Sequence, residues 1–188
     1  MPGLGTVGGV VGRRVATRTA LCVVLAGCGS PAGQERTVHV PTSITVDSPD
    51  ITDGGPIPAR YTCDGQGVSP PLRWSGVPSD AAALALVVDD PDAPRGTYTH
   101  WVVVDIDPAV KSIARGQSPP GAQQIVNSAG RASYMGPCPP SGVHHYRFTV
   151  YTLSRRLALP PRASLQSALD AIVAAATAQG RLIGTYRR

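Results

Sequence analysis

Two segments of this chain hold side chains that could do chemistry together. The first reads Val88-Asp89-Asp90-Pro91-Asp92-Ala93-Pro94, then Tyr98-Thr99-His100-Trp101. The second runs from Tyr134-Met135-Gly136-Pro137-Cys138-Pro139-Pro140 through Ser141-Gly142-Val143 to His144-His145-Tyr146. A bound phosphate needs donors: imidazole N–H, phenol O–H and the backbone N–H groups of a turn. His100, His144, Tyr134 and the turn from Gly136 to Gly142 supply all three kinds. Asp90 and Asp92 are acceptors when ionised and look out of place beside an anion. One can accept an imidazole N–H, holding the ring so that its other nitrogen faces outward. The other can face an ammonium. Phosphate beside ammonium is the pattern of an ethanolamine head group.

Plainer readings compete with each assignment. Asp-Pro-Asp-Ala-Pro is also good turn chemistry, with Asp side chains bonding to nearby backbone. His100 heads an apolar strand and could be a satisfied buried histidine, and Tyr134 could simply pack beneath its loop. Alternation along a strand sends His144 and His145 to opposite faces, so only one of them reaches a shared pocket. Two carboxylates with two histidines could hold a divalent metal for hydrolysis. Ser128 and Ser141 lack the Gly-x-Ser-x-Gly setting of a serine nucleophile. Phosphate-loop and dinucleotide fingerprints do not occur. Binding is therefore favoured over catalysis, with no catalytic residue, resident metal or cofactor assigned.

These groups must be positioned by strands. Thr37 to Asp47 is rich in Val, Ile and Thr and reads as a strand, and Ile57 to Thr62 as another after the Asp53–Pro56 turn. Ser69-Pro70-Pro71-Leu72-Arg73-Trp74 reads as an edge or connector, because proline cannot donate to a ladder. Ala81 to Asp89 and His100 to Ile106 are apolar runs suited to strands buried on both faces. His145 to Leu153 alternates as a half-buried strand does. Lys111 to Ala132 is polar, lacks a period and reads as a long connection. Ser164 can cap a late helix with Leu165, Leu169, Ile172, Val173 and Ala176 on one stripe and Gly180 as its stop. A short strand, Leu182 to Tyr186, closes the chain. Many strands with one or two short helices predict a mainly β, antiparallel sandwich.

The chain has 188 residues, 42% hydrophobic and 15% charged, which suits one globular domain. No apolar run is long enough to span a bilayer as a helix. Arg13, Arg14 and Arg18 precede the apolar stretch Ala20 to Gly27, and Leu25-Ala26-Gly27-Cys28 follows the pattern of a bacterial lipobox. Residues 1–27 are thus expected to be a signal peptide, with Cys28 becoming a diacylglyceryl-bearing N-terminus, residues 28–43 a tether and 44–188 the domain. Two acyl chains suffice for stable anchoring. The net charge of +5 owes three units to the signal arginines, leaving 14 basic against 12 acidic residues, or +2. No clustered basic face suggests nucleic-acid binding. In an exported domain, Cys63 and Cys138 form an even pair that favours a disulfide, with free thiols beside the pocket as the alternative.

The motifs resemble the phosphatidylethanolamine-binding protein family, in its bacterial branch of Raf-kinase-inhibitor-like proteins. Four blocks match in order: Tyr61-Thr62-Cys63-Asp64-Gly65 with Ser69-Pro70-Pro71-Leu72; the Asp-Pro-Asp-Ala-Pro block; His100-Trp101; and Tyr134-x-Gly136-Pro137-Cys138-Pro139-Pro140 with His144-x-Tyr146. The resemblance spans roughly Ile44 to Tyr186. It implies a β-sandwich with a shallow anion pocket at one sheet end, lined by Asp90, His100 and His144, with Tyr134 and the turn at Gly136 as further walls and donors. It selects His144 over His145. Two departures stand out: His145 replaces an arginine more usual between the pocket histidine and tyrosine, and the lipobox tether is absent from soluble members. The function expected is a membrane-anchored binding module at the outer face of a bacterial envelope, holding a phosphate-bearing or zwitterionic head group. The alternative is an inhibitor or regulator of a protein partner, a protease or kinase, acting through the pocket rim. A metal-dependent hydrolase ranks below both.

Overall fold

A computed structural model describes residues 3–5, 8–9, 41 and 43–188 of the chain. Most of the expected signal peptide and tether, Cys28 with its expected lipid, and the first residues of the Thr37–Asp47 strand lie outside the described residues. The fold itself falls within Thr37–Arg188. Its strands are β1 (Thr45–Asp47), β2 (Leu72–Ser75), β3 (Ala83–Asp90), β4 (Tyr98–Ile106), β5 (Ser112–Ile113), β6 (Gln123–Ile125), β7 (Val143–Leu153) and β8 (Ala176–Arg187), with one helix, α1 (Leu165–Ala175), before β8. They form a three-stranded sheet ordered β1-β2-β5 and a five-stranded sheet ordered β6-β4-β3-β7-β8. Every pairing within the two sheets is antiparallel. The mainly β sandwich is the architecture expected.

The long apolar run of β3 is explained by its two covered faces. Leu84, Leu86 and Val88 join Trp101, Val103, Phe148 and Val150 in the core shared with Trp74 and Leu72 of the small sheet. Ala83, Ala85 and Val87 face the other way, under Ala168, Ile172 and Ala175 of α1. A strand buried on both faces has no need of alternation, which is why β3 reads as a continuous hydrophobic string. The helix starts where the sequence indicates: the Ser164 side chain accepts a hydrogen bond from the Ser167 N–H.

Four expectations need correction. Ile57 to Thr62 is not a strand; Ala59–Tyr61 is a single 3-10 turn, with the Tyr61 N–H donating to the Pro58 carbonyl. Pro56 and Pro58 remove alternate donors that a strand would need. Leu72–Ser75 is the central strand of the small sheet rather than an edge, because Pro70 and Pro71 stop just short of its ladder. The Lys111–Ala132 connection contains β5 and β6, both too short to show a period. The helix ends at Ala175, before Gly180, and its fully buried stripe is Ala168, Ile172 and Ala175, with Leu165 and Leu169 only partly covered. The chain turns extended at Ala176 and pairs with β7 as far as Arg187. Gly180 sits inside that strand, where a Cβ would come 2.0 Å from the Ile44 carbonyl oxygen.

Candidate functional site

Alternation along β3 puts Leu84, Leu86 and Val88 inward, and carries Asp90 to the same face at the strand end. On β7 the inward series is Val150, Phe148, Tyr146 and His144, so His145 and Arg147 point outward. His144 is 6% exposed, whereas more than half of the His145 side chain is open to solvent. The position of His100 depends on a β-bulge. Val88 pairs with Trp101, but Asp89 pairs with Thr99, so His100 is the extra residue on β4. The bulge turns His100 to the inner face although its neighbour Trp101 is also in the core. Tyr98 then pairs with Asp90.

The result is a cavity of about 250 Å³ whose sheet wall is Asp90, Tyr98, His100, His144 and Tyr146. Its loop wall is Ala93, Met135, Cys138, Pro139 and Pro140. Asp90 is 4% exposed and both its oxygens are committed. Oδ2 accepts the His144 Nδ1–H at 2.7 Å, and Oδ1 accepts the Asp92 backbone N–H at 2.8 Å. The Asp-Pro-Asp segment is thus a turn and a pocket wall at once. His100 Nδ1 lies 2.8 Å from the Met135 carbonyl oxygen, which can only accept, so this nitrogen carries the proton. The Met135 N–H returns a bond of 3.0 Å to the His100 carbonyl, tying loop to strand in both directions. Burial lowers the His100 pKa below its ordinary value, outweighing the Met135 bond and the charges of Asp90 and Asp89.

Tyr146 is fully buried, and its hydroxyl has no hydrogen-bond partner among the described residues. Burial, then the charge of nearby Asp90, holds this phenol well above its ordinary pKa. Asp90 also raises it as a neighbouring acceptor, yet its two oxygens are held by the Asp92 N–H and the His144 ring, and the phenol is left without a bond. A buried hydroxyl without a partner is uncommon and calls for a reason.

Three expected site residues stand apart from the cavity. Asp92 turns to solvent, where one oxygen accepts both the His145 backbone N–H at 2.8 Å and its Nδ1–H at 2.7 Å; these bonds lower its pKa. The Tyr134 hydroxyl donates to the Tyr61 carbonyl at 3.0 Å, and its ring stands edge-on to Trp101. Gly136 packs against the 3-10 turn, where a Cβ would come 2.8 Å from the Tyr61 carbonyl oxygen. Cys63 and Cys138 form a disulfide, which places a covalent link in the loop wall. Sequence reasoning missed Tyr98 and Tyr146 as wall residues; both stood inside the quoted motifs, with nothing to mark their direction. Among the described residues, no group of three or more His, Cys, Asp or Glu is gathered as metal ligands.

Fold and site together define a β-sandwich with a carboxylate–imidazole pocket at one sheet end. The profile of the family described as Phosphatidylethanolamine-binding protein matches residues 47–187, and the chain belongs to that family. It is 48% identical over 185 residues to LppC of Mycobacterium tuberculosis H37Rv, a protein that carries a lipoprotein name, covering 89% of this chain and 92% of that one. A crystal structure of the PEBP homologue CT736 of Chlamydia trachomatis superposes with a TM-score of 0.73 at 36% identity, over 78% of this chain and 99% of that one. E. coli YbcL, described as a member of the mammalian PEBP family, gives 0.74 at 30% identity with the same coverage.

Proposed function

We propose that this chain is a membrane-anchored binding module whose pocket holds a small phosphate-bearing head group of the phosphoethanolamine kind. The observation that carries the reading is the partnerless Tyr146 hydroxyl, fully buried in the wall that also presents His100 and His144. An incoming oxyanion would give it the acceptor it lacks. A volume of about 250 Å³ suits a head group rather than an acyl chain. Signal residues 1–27, a lipid on Cys28 and the tether 28–43 would hold the domain at the outer face of the envelope. The lipoprotein name of the relative LppC supports this placement.

Native mass spectrometry of the protein titrated with phosphoethanolamine tests the pocket. One saturable adduct, lost in His144→Ala, is expected. No adduct at millimolar ligand, or one that persists in that variant, would remove the head-group reading.

A further inference from the structure

The pocket has an unusual charge inventory for a site that takes an anion. Among the described residues no lysine or arginine lines it, and its one carboxylate, Asp90, has the wrong sign. Neutral donors are largely committed, the Tyr98 hydroxyl to the Met135 Sδ at 3.5 Å. His100 spends its Nδ1–H on the Met135 carbonyl, and His144 spends its Nδ1–H on Asp90. What each ring can still offer the cavity is Nε2. In a neutral imidazole protonated at Nδ1, that nitrogen is a lone pair and an acceptor. A lone pair facing an oxyanion repels it.

We propose that the pocket takes its oxyanion together with one proton, carried between the ligand oxygen and His100 Nε2. The proposal rests on the phosphate reading above and adds the protonation state in which that ligand is held. The proton has two possible sources. A phosphomonoester can bring its own P–OH, which donates to the Nε2 lone pair. Otherwise solvent supplies it, and the resulting imidazolium donates Nε2–H to the anion. In both cases Nδ1 stays on Met135, and the Tyr146 hydroxyl donates to a second ligand oxygen.

The groups around His100 fit such a role. Asp90 and Asp89 on β3 favour a positive ring, while His144 on β7 disfavours one. Tyr98 and Tyr146 meet the ring edge-on, with centroids 5.1 and 5.3 Å away. Burial is the largest influence and disfavours a proton on the free ring, a cost that a bound anion would offset. The same arrangement disfavours a fully deprotonated dianion, which would meet a lone pair and a carboxylate together.

The test is calorimetric titration of the full-length chain in detergent micelles with methyl phosphate and with dimethyl phosphate, from pH 5.5 to 8.5. Each pH is repeated in two buffers of different ionisation enthalpy. Methyl phosphate loses its second proton at about pH 6. Its affinity is therefore expected to fall about tenfold per pH unit above pH 7, with one proton taken up per ligand. Dimethyl phosphate has no proton to bring, so uptake on its binding places the proton on the protein. Failure of the diester to bind, with uptake for the monoester, places it on the ligand; both support the proposal. His100→Gln sets a permanent amide donor near the Nε2 position and should bind methyl phosphate with a flat profile. If that variant fails to fold by circular dichroism, the wild-type titrations decide alone. Methyl phosphate binding with no pH slope and no proton uptake overturns proton coupling and leaves the phosphate site standing. A full slope in folded His100→Gln overturns the assignment to His100. No binding of methyl phosphate at any pH removes the phosphate reading and this one with it.

Discussion

Tyr146→Phe separates a ligand-binding hydroxyl from a structural one, because the two roles predict opposite signs. The hydroxyl is fully buried and partnerless among the described residues. Leaving a buried polar group unsatisfied costs about 1–3 kcal/mol, so replacing it with hydrogen in a ring of the same shape should stabilise the free protein. At the lower figure, a domain of this size gains about 2–4 °C in Tm. Ligand binding should move the other way. A hydrogen bond from the phenol to a charged oxyanion contributes about 1.5–3 kcal/mol, which weakens affinity about tenfold or more when lost. Thermal melts with and without phosphoethanolamine read both effects in one experiment. The Tyr146→Phe variant would melt higher than the parent when free and show a smaller ligand-induced rise. A variant that melts lower while binding the ligand as well as the parent would refute the reasoning, since its hydroxyl would then have been satisfied within the fold.

Three further outcomes are expected. Reducing the Cys63–Cys138 disulfide, or replacing both cysteines with alanine, opens a loop with a sequence separation of 75 and removes a link from the pocket wall. Loop-closure entropy puts the loss near 4 kcal/mol, roughly 10 °C in Tm, and phosphoethanolamine affinity should fall with it; scanning fluorimetry with and without reductant measures both. Gly180→Ala forces a Cβ to within 2.0 Å of the Ile44 carbonyl, a backbone atom that cannot yield cheaply, and should cost about 1–3 kcal/mol in chemical denaturation. Asp92→Ala removes an exposed pair with His145 and should leave ligand affinity within about twofold and Tm within about 2 °C at neutral pH. Because the folded Asp92 pKa is lowered, the small contribution of this pair is present above the ordinary value of 3.8 and fades as pH falls through the folded value. Parent and variant melting curves should therefore converge in acid.

What could be read from sequence followed how local each cause is. β3, β4 and β7 announce themselves because burial on one or both faces leaves an apolar string or a clean alternation. Ser164 reveals the helix start because a cap acts within its own turn. The helix end is different. Ala176 to Gly180 continues a helical pattern, yet the residues join β8 because they pair with β7, and Gly180 is required by the approach of Ile44. Both partners lie far away in sequence, and pairing of this kind overrides local preference. The prolines near Ile57 did carry a local warning, since two missing donors in three residues rule out a regular ladder.

The site divides along the same line. Asp90 and His144 sit at strand positions where simple alternation delivers them to the pocket, so motif and period agree. His100 reaches it only through a bulge, and a bulge belongs to the register of two strands, which one strand cannot display. The motif groups Asp92 with Asp90, but the turn that Asp90 itself caps swings Asp92 outward to His145. This turn also reconciles the Asp90 carboxylate with the anion pocket proposed above. Each Asp90 oxygen is engaged, one by the Asp92 N–H and one by the His144 ring, so the group acts as a fixed acceptor that orients an imidazole. Asp90 thereby occupies Nδ1 of His144 and leaves Nε2 as its remaining nitrogen, as the Met135 carbonyl does for His100. Among the described residues, the wall then holds two imidazoles each engaged through Nδ1 and one partnerless buried phenol, with no lysine or arginine. On the proposed reading, the positive charge an oxyanion needs has to arrive as a proton, and pH becomes the variable that sets its affinity.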